Sequence, residues 1–472
     1  MKLRSTLSHI MIASSLVSAS IVGAAPEAQA NTQQKDQVQV YGDKENPKNI
    51  IFLVGDGMGP SYQTAYRYFA DNPDTEEMEE TAFDDYLVGS QRTYSADEKD
   101  NVTDSAAAGT AISSGHKTYN GAIGVDANKQ KVETVLERAK SIGKSTGLVT
   151  TAELTDATPA AYASHVADRD QKNDIAKQFY DQRIQGEHKV DVLLGGGAKY
   201  FGKENGNLDK QFEKDGYDVV TNKESLAESD SEQVLGIFAD ENMPLQIDAP
   251  DDDPSLAEMQ KSALDRLSKD GDGFFLMVEG ASIDKQGHTH DVTGVMSEMS
   301  GFEKAFEDAM AYAKSNPDTL VVATADHSTG GLSVGKDGEY AWDAEPIRNM
   351  KHSAQWMTEQ IAAGESIEDT VKAGYGFDVD TKAIEKMKQA ADRLSKLDKK
   401  KDEEEYEQQY QALQDAIQQP INDASKTGWT SSGHTGVDTN TYAYGPGAEA
   451  FRGNMNNVEN AQHIFSFYEK ES

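Results

Sequence analysis

Residues 49–59 read NIIFLVGDGMG, an uncharged run of strand length followed by glycines on either side of Asp56. A segment of that length with no polar alternation is how a fully buried strand of a parallel sheet reads. The glycines suit a tight turn, yet no Gly-Lys-Ser/Thr follows and the spacing departs from the dinucleotide fingerprint, so nucleotide binding finds no support here. The residue of interest is Asp56, at the strand's carboxyl end.

The pattern repeats along the chain. Residues 145–150 (STGLVT), 190–194 (VDVLL), 274–278 (FFLMV) and 320–324 (LVVAT) are further predicted strands, with helices predicted over 132–140 and 255–267. Strands alternating with helices predict an α/β fold whose central sheet is largely parallel and flanked by helices. Ligands of such sheets bind beyond the carboxyl ends of the strands. The residues just past those ends are Asp56, then Asp156 and Thr158, then Glu279, then Asp326 and His327.

Taken singly, an acidic residue after a strand is as readily a turn former or helix cap. The segment 278–288, VEGASIDKQGH, is harder to explain that way, because it puts Glu279, Asp284 and His288 within ten positions of one another. Asp and His four apart share a helix face, and Asp, Glu and His are ligands for zinc or magnesium. His290 is close enough to stand in for His288. His116, His165, His188, His352 and His463 have no such company and read as ordinary core or surface residues, while His434 sits in a polar loop.

Residues 101–114, NVTDSAAAGTAISS, place Ser105 where a helix begins, among small residues. Helix starts expose backbone N–H groups that bind anions. An isolated match of this kind is more often a capped, tightly packed helix than a nucleophile, so the reading of Ser105 turns on what converges on it.

The chain has 472 residues, 37% of them hydrophobic, enough for a large core, and no cysteine. Its start, MKLR, an apolar stretch and Ala28-Gln29-Ala30, predict a cleavable signal over residues 1–30, and the product from residue 31 is expected to be exported: periplasmic, cell-surface or extracellular. No later stretch is apolar enough to span a membrane. With 81 acidic against 45 basic residues the net charge is -36, which repels nucleic acid and anionic membranes. A phosphate would be repelled too, unless metals, Arg or helix ends make a local positive potential. Residues 246–254, QIDAPDDDP, read as a solvated acidic loop, with weak calcium binding the sharper alternative. Residues 381–419 carry Ile384, Met387, Ala391, Leu394 and Leu397 at helical spacing and predict one or two helices inserted into the sheet region, capping the site or touching a partner subunit.

VGDGMG, TDSAAAGTA, TAELTDATPAAYASHVADR, VEGASIDKQGH, TADH and SSGHTG stand in this order along the chain. Together they closely resemble the alkaline phosphatases, over roughly residues 49–463 and least closely at about 205–271 and 334–427. The resemblance implies one phosphatase domain over 31–472 with two Zn²⁺ and one Mg²⁺ per subunit. Asp284, His288 and His434 would hold one zinc; Asp326, His327 and Asp56 would hold the second. Asp56 would bridge to magnesium, alongside Thr158 and Glu279. Ser105 would be the nucleophile of a phosphoserine intermediate, Arg169 the phosphate clamp, and Asp156 with Lys285 the supporting pair of the enteric bacterial type.

The implied activity is hydrolysis of small phosphate monoesters, by a homodimer. A phosphodiesterase or sulfatase of the same superfamily is the alternative enzyme reading. A non-catalytic, acidic, cation-binding exported protein is the alternative outside enzymes, and it leaves the six ordered motifs unexplained. Two departures from the family pattern, the missing cysteines and the insertion at 381–419, touch none of the proposed ligands.

Overall fold

The computed structural model describes residues 46–469; the predicted signal over 1–30 lies outside them. Its centre is a ten-stranded sheet: β1 (Asn49–Gly55), β2 (Leu87–Arg92), β3 (Ser145–Glu153), β4 (Val192–Gly196), β5 (Asp218–Val220), β6 (Val234–Ile237), β7 (Phe274–Gly280), β8 (Thr319–Thr324), β9 (Thr439–Tyr444) and β10 (Gly453–Asn456). The spatial order is β10-β2-β9-β8-β1-β7-β3-β4-β6-β5. All pairs are parallel except β9, which runs antiparallel to both β8 and β2.

The opening strand shows why the sheet sits where it does. Ile51 and Leu53 of β1 join one apolar core, and Ile50, Phe52 and Val54 join the other. Successive side chains point to opposite faces, so a strand with no polar alternation has to be covered on both. The five strands expected from sequence are present, with ends shifted by a few residues. The five not expected are short or carry Gly, Thr, Asn and Asp: β2 is mostly part-exposed, and β9 reads TNTYAY. Such sequences lack the continuous apolar signal because they lie toward the edges of the sheet.

Six helices matter for the site: α1 (Ser105–Ser114), α2 (Ala157–Ala163), α3 (Ser282–Thr289), α4 (Val292–Ser315), α5 (Thr381–Leu394) and α6 (Glu403–Ser425). Helix α1 is buried along its whole length. Its small residues let α2 come close: a Cβ added at Gly109 would lie 3.1 Å from the Ala161 Cβ, and the Ser113 hydroxyl donates to the Ala161 carbonyl at 2.7 Å. Helices α5 and α6 occupy the region read as an insertion, between β8 and β9, and α6 runs on past residue 419 to Ser425 through Pro420. Ile417 and Ile421 bury into the core, and Asn422 near the end of α6 donates to the His290 carbonyl at 3.0 Å. Among the described residues no helix is long and apolar enough to cross a membrane.

Candidate active site

The carboxyl ends of β1, β7 and β8 and the start of α1 bring the candidate residues together. Asp56 follows β1 directly, and the Gly57 after it has φ +71°; a Cβ there would lie 2.8 Å from Asp284 atoms. Glycine is therefore required for the backbone to turn with its flank against α3. The glycine-rich run that resembles a nucleotide loop instead makes room for a carboxylate beside Asp284.

Helix α1 begins at Ser105 because Asp104 caps it, its Oδ1 accepting from the Ala107 N–H at 2.9 Å. The buried Ser105 hydroxyl lies 3.1 Å from His327 Nε2. That same nitrogen is 3.5 Å from Asp56 Oδ1 and 3.2 Å from Asp326 Oδ2. Asp326 is held by its other oxygen, which accepts from the Gly57 and His327 N–H groups at 3.1 and 2.9 Å.

On the adjoining side, Asp284 and His288, one turn apart on α3, meet His434 from the loop before β9. His288 Nε2 lies 3.3 Å from Asp284 Oδ2, and His434 Nε2 lies 3.6 Å from Asp284 Oδ1. Candidate ligand atoms of Asp284, His288 and His434, and likewise of Asp56, Asp284 and His327, lie within 4.8 Å of one another. Asp284 thus belongs to both groups. His290 is turned away, stacked on Trp429 with its Nε2 on the Ser431 carbonyl at 2.8 Å. His165 bonds Glu137, His188 bonds Asp215 and His352 bonds Asp248, consistent with ordinary structural roles.

Two observations show that divalent cations fit these residues. His288 Nδ1 and His434 Nδ1 face carbonyl oxygens of Ser432 and Thr103 at 2.6 and 2.8 Å, so both donate there. A neutral ring then keeps its lone pair on Nε2, and the two Nε2 atoms are only 3.0 Å apart. Lone pairs at that separation repel unless a proton or a cation sits between them, and a second-nitrogen bond of this kind is the usual support of a metal-binding histidine.

The second observation is the density of buried negative charge. Asp56, Glu279, Asp284 and Asp326 are all buried, and Asp56 Oδ1 and Asp326 Oδ2 have no hydrogen-bond partner. Burial, reinforced by neighbouring carboxylates, pushes Asp56 well up and Asp326 up to about 8; burial also takes Glu279 up to about 7 despite the Thr150 hydroxyl donating to it. Asp284 goes the other way: burial opposes it, but His288, His327 and His434 hold it low. Uncompensated carboxylates in a low-dielectric pocket are costly, and bound cations remove that cost.

Arg169 reaches the site from the chain beyond α2. Its Nη1 donates to Asp104 Oδ2 and its Nη2 to Asp156 Oδ1, both at 3.2 Å. Burial works against the guanidinium, yet Asp156 and Asp104 hold its charge firmly in place. Lys285 donates to Asp156 Oδ2 at 2.9 Å. Thr158 is buried in the first turn of α2. A cavity of about 500 Å³, lined in part by Lys99, Val102, Asp104, Asn120, His288 and His434, opens the site to solvent.

The sequence named every residue of this cluster except the side chains that orient them. Thr329 donates to Asp284, Thr150 donates to Glu279, and Asp104 grips Arg169 as well as capping α1. For Asp104 the adjacency to Ser105 was a signal; for the threonines only the fold brings them near.

The family model for alkaline phosphatase matches residues 47–469. Alkaline phosphatase 3 of Bacillus subtilis is 46% identical over 457 residues, 97% of this chain and 95% of that protein. Among solved structures, a cold-active alkaline phosphatase from a psychrophilic Shewanella sp. superposes with a TM-score of 0.80 at 41% identity, over 89% of this chain and 99% of that one. The alkaline phosphatase of Thermus thermophilus gives 0.76 at 26% identity, over 94% and 95%. With a family model matched over residues 47–469 and a relative 46% identical across 97% of its length, the chain belongs to the alkaline phosphatase family.

Proposed function

We propose that this phosphomonoesterase of the alkaline phosphatase family works through Ser105 as nucleophile and Arg169 as phosphate clamp. The observation that carries the reading is the Ser105 hydroxyl at the start of α1, 3.1 Å from His327 and flanked by two groups of candidate metal ligands. Asp284, His288 and His434 would hold one zinc, Asp56, Asp326 and His327 the other, and Asp56, Thr158 and Glu279 the magnesium. Bound there, the cations would lower the pKa of the Ser105 hydroxyl and neutralise charge on the leaving oxygen.

The chain's own groups do the rest. Ser105 Oγ forms a bond to phosphorus as the bond to the leaving oxygen breaks, giving phosphoserine. Water then takes the phosphoryl group and returns Ser105. The planar fork of Arg169 binds two nonbridging oxygens, and the free N–H groups at the start of α1 add positive potential where the protein's net charge would repel the substrate. Lys285 and Asp156 keep the guanidinium in register.

Arg169→Ala is expected to raise the inhibition constant of inorganic phosphate by about 10-fold or more, and Arg169→Lys by less, since a charged group is kept but the fork is lost. Equal inhibition constants in the two variants would remove the clamp. Parallel assays on an aryl phosphate, an aryl phosphodiester and an aryl sulfate test the activity itself. Preference for the diester or sulfate would transfer the site to the superfamily's other chemistries.

Export and a homodimer complete the proposal, supported by the N-terminal sequence and by the family. An intact N-terminus in the mature protein, or a monomer mass by light scattering at micromolar concentration, would remove the corresponding part.

A further inference from the structure

We propose that Lys172 is a positioning residue for Arg169, sharing Asp156 Oδ1 with it so that the guanidinium is free to turn toward the phosphoryl group. The inference rests on the reading of Arg169 as the clamp.

Asp156 is a crossing point. Its Oδ2 is held by Lys285 at 2.9 Å, and its Oδ1 accepts from the Ala157 N–H at 2.9 Å and from Arg169 Nη2 at 3.2 Å. Lys172 Nζ stands 3.9 Å from that same Oδ1. It comes from the start of the next helix, Lys172–Asp181, and is fixed from behind by Glu153 at the end of β3. Glu153 is buried and is itself braced by Lys199, 2.9 Å from its other oxygen, and Lys199 is paired with Glu241. The Tyr200 ring lies against both ammonium groups, 5.9 Å from Lys172 and 5.1 Å from Lys199. Among the described residues Lys172, Glu153 and Lys199 contact one another, Asp156, Glu241 and Tyr200 rather than a candidate metal ligand, whereas Asp156 stands close enough to Glu279 to add to burial in pushing its pKa up.

On this reading Arg169 keeps its bond to Asp104 and, in gripping a phosphate dianion with its remaining N–H groups, loosens its bond to Asp156. That loosening leaves a buried carboxylate oxygen short of compensation, which draws the guanidinium back. A cation already 3.9 Å away takes up that charge, and opposite charges at this distance interact substantially where solvent is partly excluded. Lys172 acts on the phosphate only through the Asp156–Arg169 pair. It touches neither phosphate nor metal ligand.

The test is a double-mutant cycle on the metal-loaded enzyme, read as the inhibition constant of inorganic phosphate and as kcat/KM for p-nitrophenyl phosphate. Lys172→Met is expected to raise the inhibition constant about three- to tenfold, and Lys172→Arg to stay within about twofold of wild type. Added to Arg169→Ala, Lys172→Met should change it by less than about twofold, because the route through Arg169 is gone. Lys172→Gln carries the same expectations as Lys172→Met and guards against a folding defect peculiar to one variant.

An undiminished Lys172→Met effect in the Arg169→Ala background overturns the proposal, because it makes Lys172 a contributor of general positive potential. No effect of Lys172→Met alone overturns it as well. In both cases an Arg169→Ala variant that still weakens phosphate leaves the clamp standing; an Arg169→Ala variant without effect removes clamp and positioning residue together.

Discussion

Ser105→Ala is expected to lower kcat for p-nitrophenyl phosphate by at least about 10³-fold, roughly 4 kcal/mol of barrier, and to abolish phosphorylation of the protein by phosphate at acidic pH. The size follows from the job. Phosphate monoester hydrolysis is among the slowest uncatalysed reactions, needing acceleration of up to about 10²¹-fold, and a nucleophile placed in line supplies a large share of it through proximity alone. The hydroxyl is buried at the start of α1 and 3.1 Å from His327, and alanine keeps the helix start intact because the cap belongs to Asp104. The variant should fold like wild type, with an unchanged Tm. Residual turnover would come from water attacking a phosphate still held by the proposed clamp Arg169 and by cations bound at the site. A variant that keeps wild-type kcat, or still acquires phosphate, would move the nucleophile off Ser105.

The sequence was most legible where physics demands unbroken apolar runs. Strands β1, β3, β4, β7 and β8 are buried on both faces and announce themselves; β2, β5, β6, β9 and β10 are short or rich in polar and small residues, and carry no comparable local signal. The candidate site was legible for a related reason. Parallel strands all end on one side, so Asp56, Asp156, Thr158, Glu279, Asp326 and His327 could be placed together before any coordinates, and His434 joined them through the resemblance of SSGHTG. What stayed hidden are contacts that no spacing encodes. Lys172 reaches Asp156 only because the chain turns back after Arg169, and Thr329 meets Asp284 across forty-five positions of sequence. Asp284 was assigned to one ion from its motif, whereas the geometry places its oxygens beside His327 as well as His288 and His434.

Removing the metals is expected to abolish activity and to make the stability of the protein strongly dependent on pH. In the metal-free fold Asp56, Glu279 and Asp326 share a buried space in which Lys285 and, toward Asp56, Arg169 offset part of their charge. Burial holds Glu279 up at about 7 and Asp326 at about 8, against ordinary values of 4.5 and 3.8. A group whose folded pKa lies above its unfolded one contributes stability that is fully present below the unfolded value and lost as pH rises through the folded one. The Tm of the chelated protein should therefore fall as pH rises from about 5 to 8, each such carboxyl costing about 1.4 kcal/mol per pH unit until its folded pKa is passed, while His327 and His434, held low by burial, work in the opposite sense below about pH 6.5. The metal-loaded protein should show a shallower fall, since bound cations keep Asp56, Glu279 and Asp326 ionised and compensated and leave only carboxyls outside the site, such as Asp291 at about 6 and Glu298 at about 7, to contribute. Loading should also release protons to an unbuffered solution, more at pH 6 than at pH 9, because fewer carboxylates remain protonated at the higher pH. Re-addition of zinc and magnesium should restore both activity and the shallower profile. Chelated and loaded proteins with the same Tm from pH 5 to 9 would mean that these carboxylates are compensated without ions, and the case for a metal centre built on their burial would fall.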